Sequence, residues 1–443
     1  MKQTLQSRVA CMVLWGVLVS LPAIARQQSE GMTLREAVSI ALGQNAQVIQ
    51  AMESLIGAEA KISESRSALL PAVNALAAYA RLGPIASYTV NIGPMVPPIT
   101  MKFGVENTYS AGVSVQHSLF NWGRAEAGIE ISEAGARMSQ SGLELARQAA
   151  ANQVIQLFYG ILVSKEAIGV LDQSIRSLEN RLDILTKRFD AGLASNFDLL
   201  TMEVQIASIR SRKVDTQSNL RKLEFLFNRF LGREIETPVE LHGELKYTSP
   251  GIDGQRLKET AATQRRELEQ LKQQEAMSLA QVNLTNSFDK PNVNLSLTWG
   301  LRNGYMPNLD VLRGNWNAGL VLSYPVFDGF KTKNQLEQAE VNVRLAQLRY
   351  NDVKTAITME VNQTLVDLQA NEEKIGIEQL KVRLAEEALK IADERFAKGL
   401  LSTTDLLDSQ TSLENARLNL LQATYSAILA RYSLDKAVGK APY

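Results

Sequence analysis

Between residues 109 and 119 apolar and polar positions alternate almost without interruption. Tyr109, Ala111, Val113, Val115, His117 and Leu119 are separated by Ser110, Gly112, Ser114, Gln116 and Ser118. A period of two belongs to a β-strand whose two faces meet different surroundings. Trp316, Ala318, Leu320, Leu322 and Tyr324 alternate with Asn317, Gly319, Val321 and Ser323 in the same way. So do Val293, Leu295, Leu297, Trp299 and Leu301 with Asn292, Asn294, Ser296, Thr298 and Gly300, while Val73, Ala75, Ala77 and Tyr79 mark a fourth such run. The pattern predicts strands over residues 72–83, 108–119, 292–302 and 314–326. Elsewhere the period is helical. Leu34, Ala37, Val38 and Ala41 begin a helix predicted over 33–69, which Pro71 stops. Leu171, Ile175, Leu178, Leu182, Leu185 and Phe189 step by four and three along a Pro-free helix predicted over 122–189. Further helices are predicted over 195–231, 255–287, 329–396 and 403–438. In the last of these, Leu406, Leu413, Leu420, Ala427 and Leu434 fall one heptad apart.

These elements occur twice. Arg188-Phe189-Asp190-Ala191-Gly192-Leu193, followed by Asp198-Leu199-Leu200, returns 207 positions later as Arg395-Phe396-Ala397-Lys398-Gly399-Leu400, followed by Asp405-Leu406-Leu407. The same offset carries Phe120 to Phe327, Val154 to Val361 and Gly232 to Gly439. Upstream the offset is 220, carrying Pro71 to Pro291 and Gln44 to Gln264, and the difference is absorbed in a longer first loop between Gly83 and Asn107. The organisation is therefore a first repeat over 26–232, a linker over 233–254 and a second repeat over 255–443. Self-similarity on this scale marks one structural unit used twice.

Residues 1–25 carry the marks of a secretory signal peptide: Lys2 and Arg8, an apolar run from Val9 to Leu21, and Ala23-Ile24-Ala25 as a small-x-small cleavage site. An uncleaved anchor is the competing reading, opposed by the short run and by Pro22. No later segment approaches ~18 consecutive apolar residues, so a membrane crossing falls to the strands. Lys+Arg and Asp+Glu both number 47, so no net charge draws the chain to nucleic acid. The only cysteine, Cys11, lies in the leader, and two histidines, His117 and His242, leave little for a metal site or a catalytic triad. The sequence contains no phosphate-binding G-x-x-x-x-G-K-[ST], no H-E-x-x-H and no G-x-S-x-G. We expect no enzyme, no cofactor and no bound metal. His117 reads as a strand-end residue, and Phe120 and Trp122 as packing at the strand-to-helix junction.

A sheet over an ordinary core would also alternate. Three features favour a membrane wall instead: strands of about ten residues, aromatics (Tyr79, Tyr109, Trp299, Trp316, Tyr324) near the strand ends, and an export signal. Four strands do not close a barrel, and open edges are not tolerated in lipid. The chain then supplies one segment of an oligomeric barrel.

Taken together the residues resemble the TolC-like outer-membrane efflux protein family, the outer membrane factors. The resemblance covers nearly the whole chain after the leader. It rests on Ser67-Ala68-Leu69-Leu70-Pro71, on Tyr324-Pro325-Val326-Phe327-Asp328-Gly329, and on the two Arg-Phe-x-x-Gly-Leu…Asp-Leu-Leu hairpins. It implies a mainly helical homotrimer in which twelve strands form one outer-membrane β-barrel and twelve helices continue it as a periplasmic α-helical barrel. The linker would lie in a belt around the middle. The implied function is that of a channel-tunnel in a tripartite efflux or type I secretion system of a Gram-negative cell. Its partners would be a periplasmic adaptor and an inner-membrane pump of RND, ABC or MFS type. A structural exported coiled-coil protein and a stand-alone diffusion porin are the alternatives.

Asp405 and Asp408 sit three apart and share a helix face. By resemblance they match paired aspartates that ring the periplasmic entrance. Asp198, in the first hairpin, belongs to the same candidate gate; Asp405 and Asp198 also suit helix caps, and the first repeat has Thr201 where the second has Asp408. Phe396 and Leu401 occupy positions where better-known members carry a Tyr and an Arg that latch the entrance, so closure here is expected to rely more on apolar packing. Gly192 with Leu193, and Gly399 with Leu400, are candidate adaptor contacts at the hairpin tips; the two glycines equally suit helix C-caps.

Overall fold

In the computed structural model, residues 31–441 are described apart from 96, 250, 252 and 307. The expected signal peptide over 1–25 lies outside the described residues. The first repeat comprises α1 (Leu34–Gln44), α2 (Ala46–Arg66), β1 (Ala72–Arg81), β2 (Ser87–Val90), β3 (Ile99–Lys102), β4 (Asn107–Phe120), α3 (Arg124–Asp190) and α4 (Asn196–Phe230). The second comprises α5 (Gly254–Gln264), α6 (Arg266–Asn286), β5 (Asn292–Arg302), β6 (Arg313–Ser323), α7 (Lys331–Ala397) and α8 (Thr403–Val438). Both α3 and α7 have 67 residues, about 100 Å at ~1.5 Å per residue.

Two single helices of the sequence reading are each two helices. The one expected over 33–69 breaks at Asn45 (ψ 128°), and the one expected over 255–287 breaks at Arg265 (ψ 120°). The cause is tertiary. Asn45 caps α2 and donates its amide to the Phe230 carbonyl (3.0 Å) at the end of α4. In the second half, Arg265 donates to the Ala437 carbonyl (3.0 Å) at the end of α8. Gly232 and Gly439, both at positive φ, press against Gln44 and Gln264 beside these breaks, so closely that a Cβ would lie 2.8 and 2.9 Å from backbone atoms. Each break is the seat for a helix end arriving from its own repeat. The long first loop also holds a two-stranded ribbon, β2 against β3, that the alternation did not announce.

Packing gathers in two main places. Midway along the helices, Val154, Ile155, Phe158 and Ile161 of α3 meet Ala37, Val38 and Ala41 of α1 and Phe227 of α4. This is the most apolar part of α3, long and apolar enough by composition to cross a bilayer, yet half of it is buried by its neighbours. The linker wraps here: Met32 bridges to Leu241, Lys165 donates to the Val239 carbonyl (3.0 Å), and Tyr247 and Ser249 donate to Glu372 of α7. Towards the hairpin tips, Leu171, Leu178 and Leu185 of α3 join Met202 and Ile209 of α4, and Phe396, Leu406 and Leu413 of the second hairpin.

Candidate membrane wall and tunnel entrance

The four long strands form one antiparallel sheet in the order β1-β4-β5-β6. Its register sets Val73 opposite Val115, Val115 opposite Leu297 and Leu297 opposite Ala318; one step outward Trp299 faces both Val113 and Trp316. Pairing thus carries most large apolar side chains of the four strands onto one face, Leu76 and Val321 excepted. The other face holds Asn74, Ser114, Thr298 and Asn317 in one row and Leu76, Gly112, Gly300 and Asn315 in the next. Gly112 and Gly300 touch so closely that a Cβ on Gly300 would lie 2.8 Å from the Gly112 Cα.

Among the described residues nothing covers the apolar face: Leu320, Leu322, Trp299 and Trp316 are exposed. Tyr79 stacks on Tyr109 at its outer end (5.2 Å), and Phe120 meets Trp122 at its helix end (5.1 Å). The ten steps from Tyr109 to Leu119, at ~3.3 Å each and tilted by ~40°, span about 25 Å, the height of an outer-membrane apolar band. β1 and β6 each have one unpaired edge. His117 belongs to the apolar face, opposite Leu295 near the helix end.

Strand-to-helix junctions use two consecutive left-handed residues in both halves. They are Trp122 (φ 55°) with Gly123 (φ 75°), and Gly329 (φ 68°) with Phe330 (φ 65°). Glycine takes this conformation freely, and the aromatic residue costs roughly 1–2 kcal/mol.

At the opposite end the hairpins turn on matching motifs. Leu193 N–H reaches back to the Arg188 carbonyl (2.8 Å) and Leu400 N–H to that of Arg395 (3.0 Å), across Gly192 (φ 75°) and Gly399 (φ 71°). These six-to-one bonds satisfy carbonyls that a helix end leaves open. Both glycines therefore serve as helix C-caps, and Leu193 and Leu400 project into solvent beside them. The returning helices are capped by Ser195 and Ser402, not by the aspartates: each hydroxyl accepts the N–H of Asp198 or Asp405 and donates to that residue's carboxylate. Asp405 stands three residues inside the cap, and Asp408 lies one turn further on the exposed side of α8. In the first repeat Thr201 instead folds its hydroxyl onto the Phe197 carbonyl (2.7 Å). Phe396 is buried beneath the Arg188 guanidinium, 5.2 Å from its ring centre, and Leu401 packs into the same cluster.

The sequence reading missed the seam between the hairpins, which is polar. Arg181 of α3 forks onto both carboxylate oxygens of Asp393 on α7 (2.8 Å each) and donates to Gln410 of α8 (2.8 Å) and Ser177 (2.7 Å). The Ser195 hydroxyl, and then that of Thr403 from the second hairpin, hold the Asp198 carboxyl below its ordinary value. Glu414 of α8 is 1% exposed. Arg212 of α4 approaches it at 2.6 Å, at an angle that leaves both carboxylate oxygens without an aligned donor. Burial pushes the Glu414 carboxyl up, outweighing Arg212 and Ser174, which pull it down. A raised carboxyl favours the protonated fold. Its contribution is complete below the unfolded carboxylate range and is lost as pH rises through the folded value. Glu414→Gln is therefore expected to unfold at a higher temperature than the parent at about pH 8, the gap closing towards about pH 4. Circular dichroism melts at the two pH values measure this, and a gap that widens on acidification would refute it.

The pattern of the outer membrane efflux protein family matches residues 37–225 and 257–440, one block in each repeat. Outer membrane protein TolC of Escherichia coli (strain K12) is 22% identical over 394 residues, covering 86% of this chain and 76% of TolC. Cobalt-zinc-cadmium resistance protein CzcC of Cupriavidus metallidurans is 21% identical over 429 residues, covering 95% and 93%. Among solved structures, the Campylobacter jejuni CmeC outer membrane channel superposes with a TM-score of 0.79 at 18% identity, over 92% of this chain and 85% of that one.

Proposed function

The chain belongs to the outer membrane efflux protein family, and from that premise we propose that three copies pool their four-stranded sheets into one closed wall continued by a helical tunnel. The family is one of outer-membrane efflux channels rather than enzymes. The observation that carries the trimer is the sheet itself: an uncovered apolar face, a polar face, and one unpaired edge each on β1 and β6. Four strands leave β6 running antiparallel to the β1 of a neighbour, so sheets joined edge to edge continue the antiparallel pattern and remove every open edge from lipid. Three sheets give twelve strands, within the range of such barrels. The Ser, Asn, Thr and Gly face then lines a wet lumen.

In this reading the chain conducts passively. An inner-membrane pump supplies the energy and a periplasmic adaptor joins the pump to the tunnel, with the Gly192-Leu193 and Gly399-Leu400 tips as its contacts. Asp405 and Asp408, on the exposed side of α8 beside the tips, form the entrance ring with six carboxylates from three copies. Phe396 and Leu401 close the wall around it by apolar packing, and Asp198 ties the first hairpin to Thr403.

Native mass spectrometry of the detergent-solubilised protein is expected to weigh three chains, and planar bilayers to show discrete conductance steps. A monomer freely soluble in plain buffer would overturn the proposal. In the same bilayers, divalent cations added on the tunnel side should block the current. A carboxylate within ~4 Å of a unit charge contributes about 1 kcal/mol even in bulk water. Replacing Asp405 and Asp408 together by Ala should therefore raise the blocking concentration by roughly tenfold or more. Unchanged block would remove the pair from the entrance.

A further inference from the structure

The two halves repeat their contacts as well as their sequence. Arg210 of α4 binds Glu179 of α3 (2.6 Å), and 207 positions on Arg417 of α8 binds Glu386 of α7 (2.8 Å). Asn45 and Arg265 seat the helix ends at Phe230 and Ala437 in the same equivalent way. A contact made by one half is therefore a guide to its counterpart.

Contacts between the halves behave differently. Arg188, near the end of α3, crosses to the end of α7, where it donates to the carbonyls of Phe396 (2.9 Å) and Ala397 (2.6 Å) and lies over the Phe396 ring. The last carbonyls of a helix keep a free lone pair even where a turn N–H already bonds them, as Gly399 N–H does that of Phe396 and Gly192 N–H that of Phe189. They also carry the negative pole of the dipole, so a guanidinium there gains hydrogen bonds and a favourable field together. The counterpart of Arg188 is Arg395, which is exposed and makes no side-chain hydrogen bond or ion pair among the described residues. The counterpart of its target is the end of α3. Phe189 is 40% exposed there where Phe396, under its arginine, is 8% exposed. One clasp is made within the chain, and both halves of a second stand open. The rotation that carries the first hairpin onto the second carries the second onto a place that only another copy can fill.

We infer that Arg395 grips the end of α3 in a second copy of this chain, donating to the carbonyls of the partner's Phe189 and the partner's Asp190 and lying over that phenyl ring. This rests on the ring assembly proposed above. Clasps within and between copies then alternate around the tunnel end. The two kinds differ chemically, because Asp190 stands where the other half has Ala397. The clasp between copies includes a carboxylate beside the guanidinium and the one within the chain does not, so added salt weakens chiefly the former.

The test co-expresses two full-length chains with different tags, both carrying Cys11→Ser. One bears Arg395→Cys and the other Asp190→Cys, and a short bis-methanethiosulfonate reagent is added to the purified assembly. A product at twice the mass of one chain, carrying both tags, is expected. Arg188→Cys and Ala397→Cys should link when placed in one chain and give no such product when placed on separate chains. If the parent weighs three chains and the one-chain control reacts, yet the Arg395 and Asp190 pair yields no mixed product, the clasp is wrong although the trimer stands. If the parent weighs one chain, the ring assembly fails and the clasp with it.

Discussion

Leu297→Arg is expected to keep the protein out of the outer membrane, whereas Ser296→Arg, one residue earlier on the same strand, is expected to insert and conduct with altered ion preference. Leu297 lies near the middle of β5 between Val115 and Ala318, on the face that the chain leaves uncovered. A guanidinium at the midplane of the lipid face of a barrel costs roughly 2–4 kcal/mol, and the proposed trimer carries it three times. Ser296 lies between Gln116 and Gly319 on the polar face, which lines the lumen in the proposed barrel. Fractionation of urea-washed outer membranes measures the first outcome, and reversal potentials in salt gradients measure the second. Equal insertion of the two variants would mean that the apolar face does not meet lipid.

Arg181→Ala is expected to loosen the tunnel end. The Arg181 side chain is only 12% exposed and by itself ties α3 to both helices of the second hairpin. Its removal leaves the buried Gln410 amide oxygen and both carboxylate oxygens of Asp393 without their donor. Breaking a fully buried ion pair from one side costs about 3–5 kcal/mol; Asp393 is 43% exposed and screened by water, so the cost here falls below that range. Arg181→Lys should not rescue, since an ammonium does not reproduce the two parallel bonds of the fork. In planar bilayers the Ala channel should show a several-fold larger mean conductance than the parent, together with a lower melting temperature. Parent-like conductance would show that the seam within the chain does not restrain the entrance. The second repeat has Ala388 at the matching position, so this restraint has no counterpart from the second repeat.

The strands and long helices were legible because their signals are local. An alternation of ten residues or a heptad seam is decided by residues a few positions apart, and the structure departs from those readings mostly at element ends. The two broken helices show the limit. Nothing near Arg265 forbids a continuous helix; the break exists because the end of α8, more than 170 residues away in sequence, docks there. Asp405 illustrates a subtler miss. An Asp at a helix start suits a cap, but Ser402, also a cap residue, took that position and left Asp405 three residues inside.

By itself the sequence determined the period of every long element, the doubling of the unit and the sorting of apolar from polar residues along each strand, since these follow from side-chain spacing on a regular backbone. Only the tertiary structure decided which surfaces remain without partners among the described residues: the outer edges of β1 and β6, Arg395, and the end of α3. It also decided that Arg181 meets Asp393, 212 positions away. The physical reason is that spacing along a chain fixes which face a residue occupies, whereas its partner depends on which helices become neighbours, and that is set by the packing of the whole.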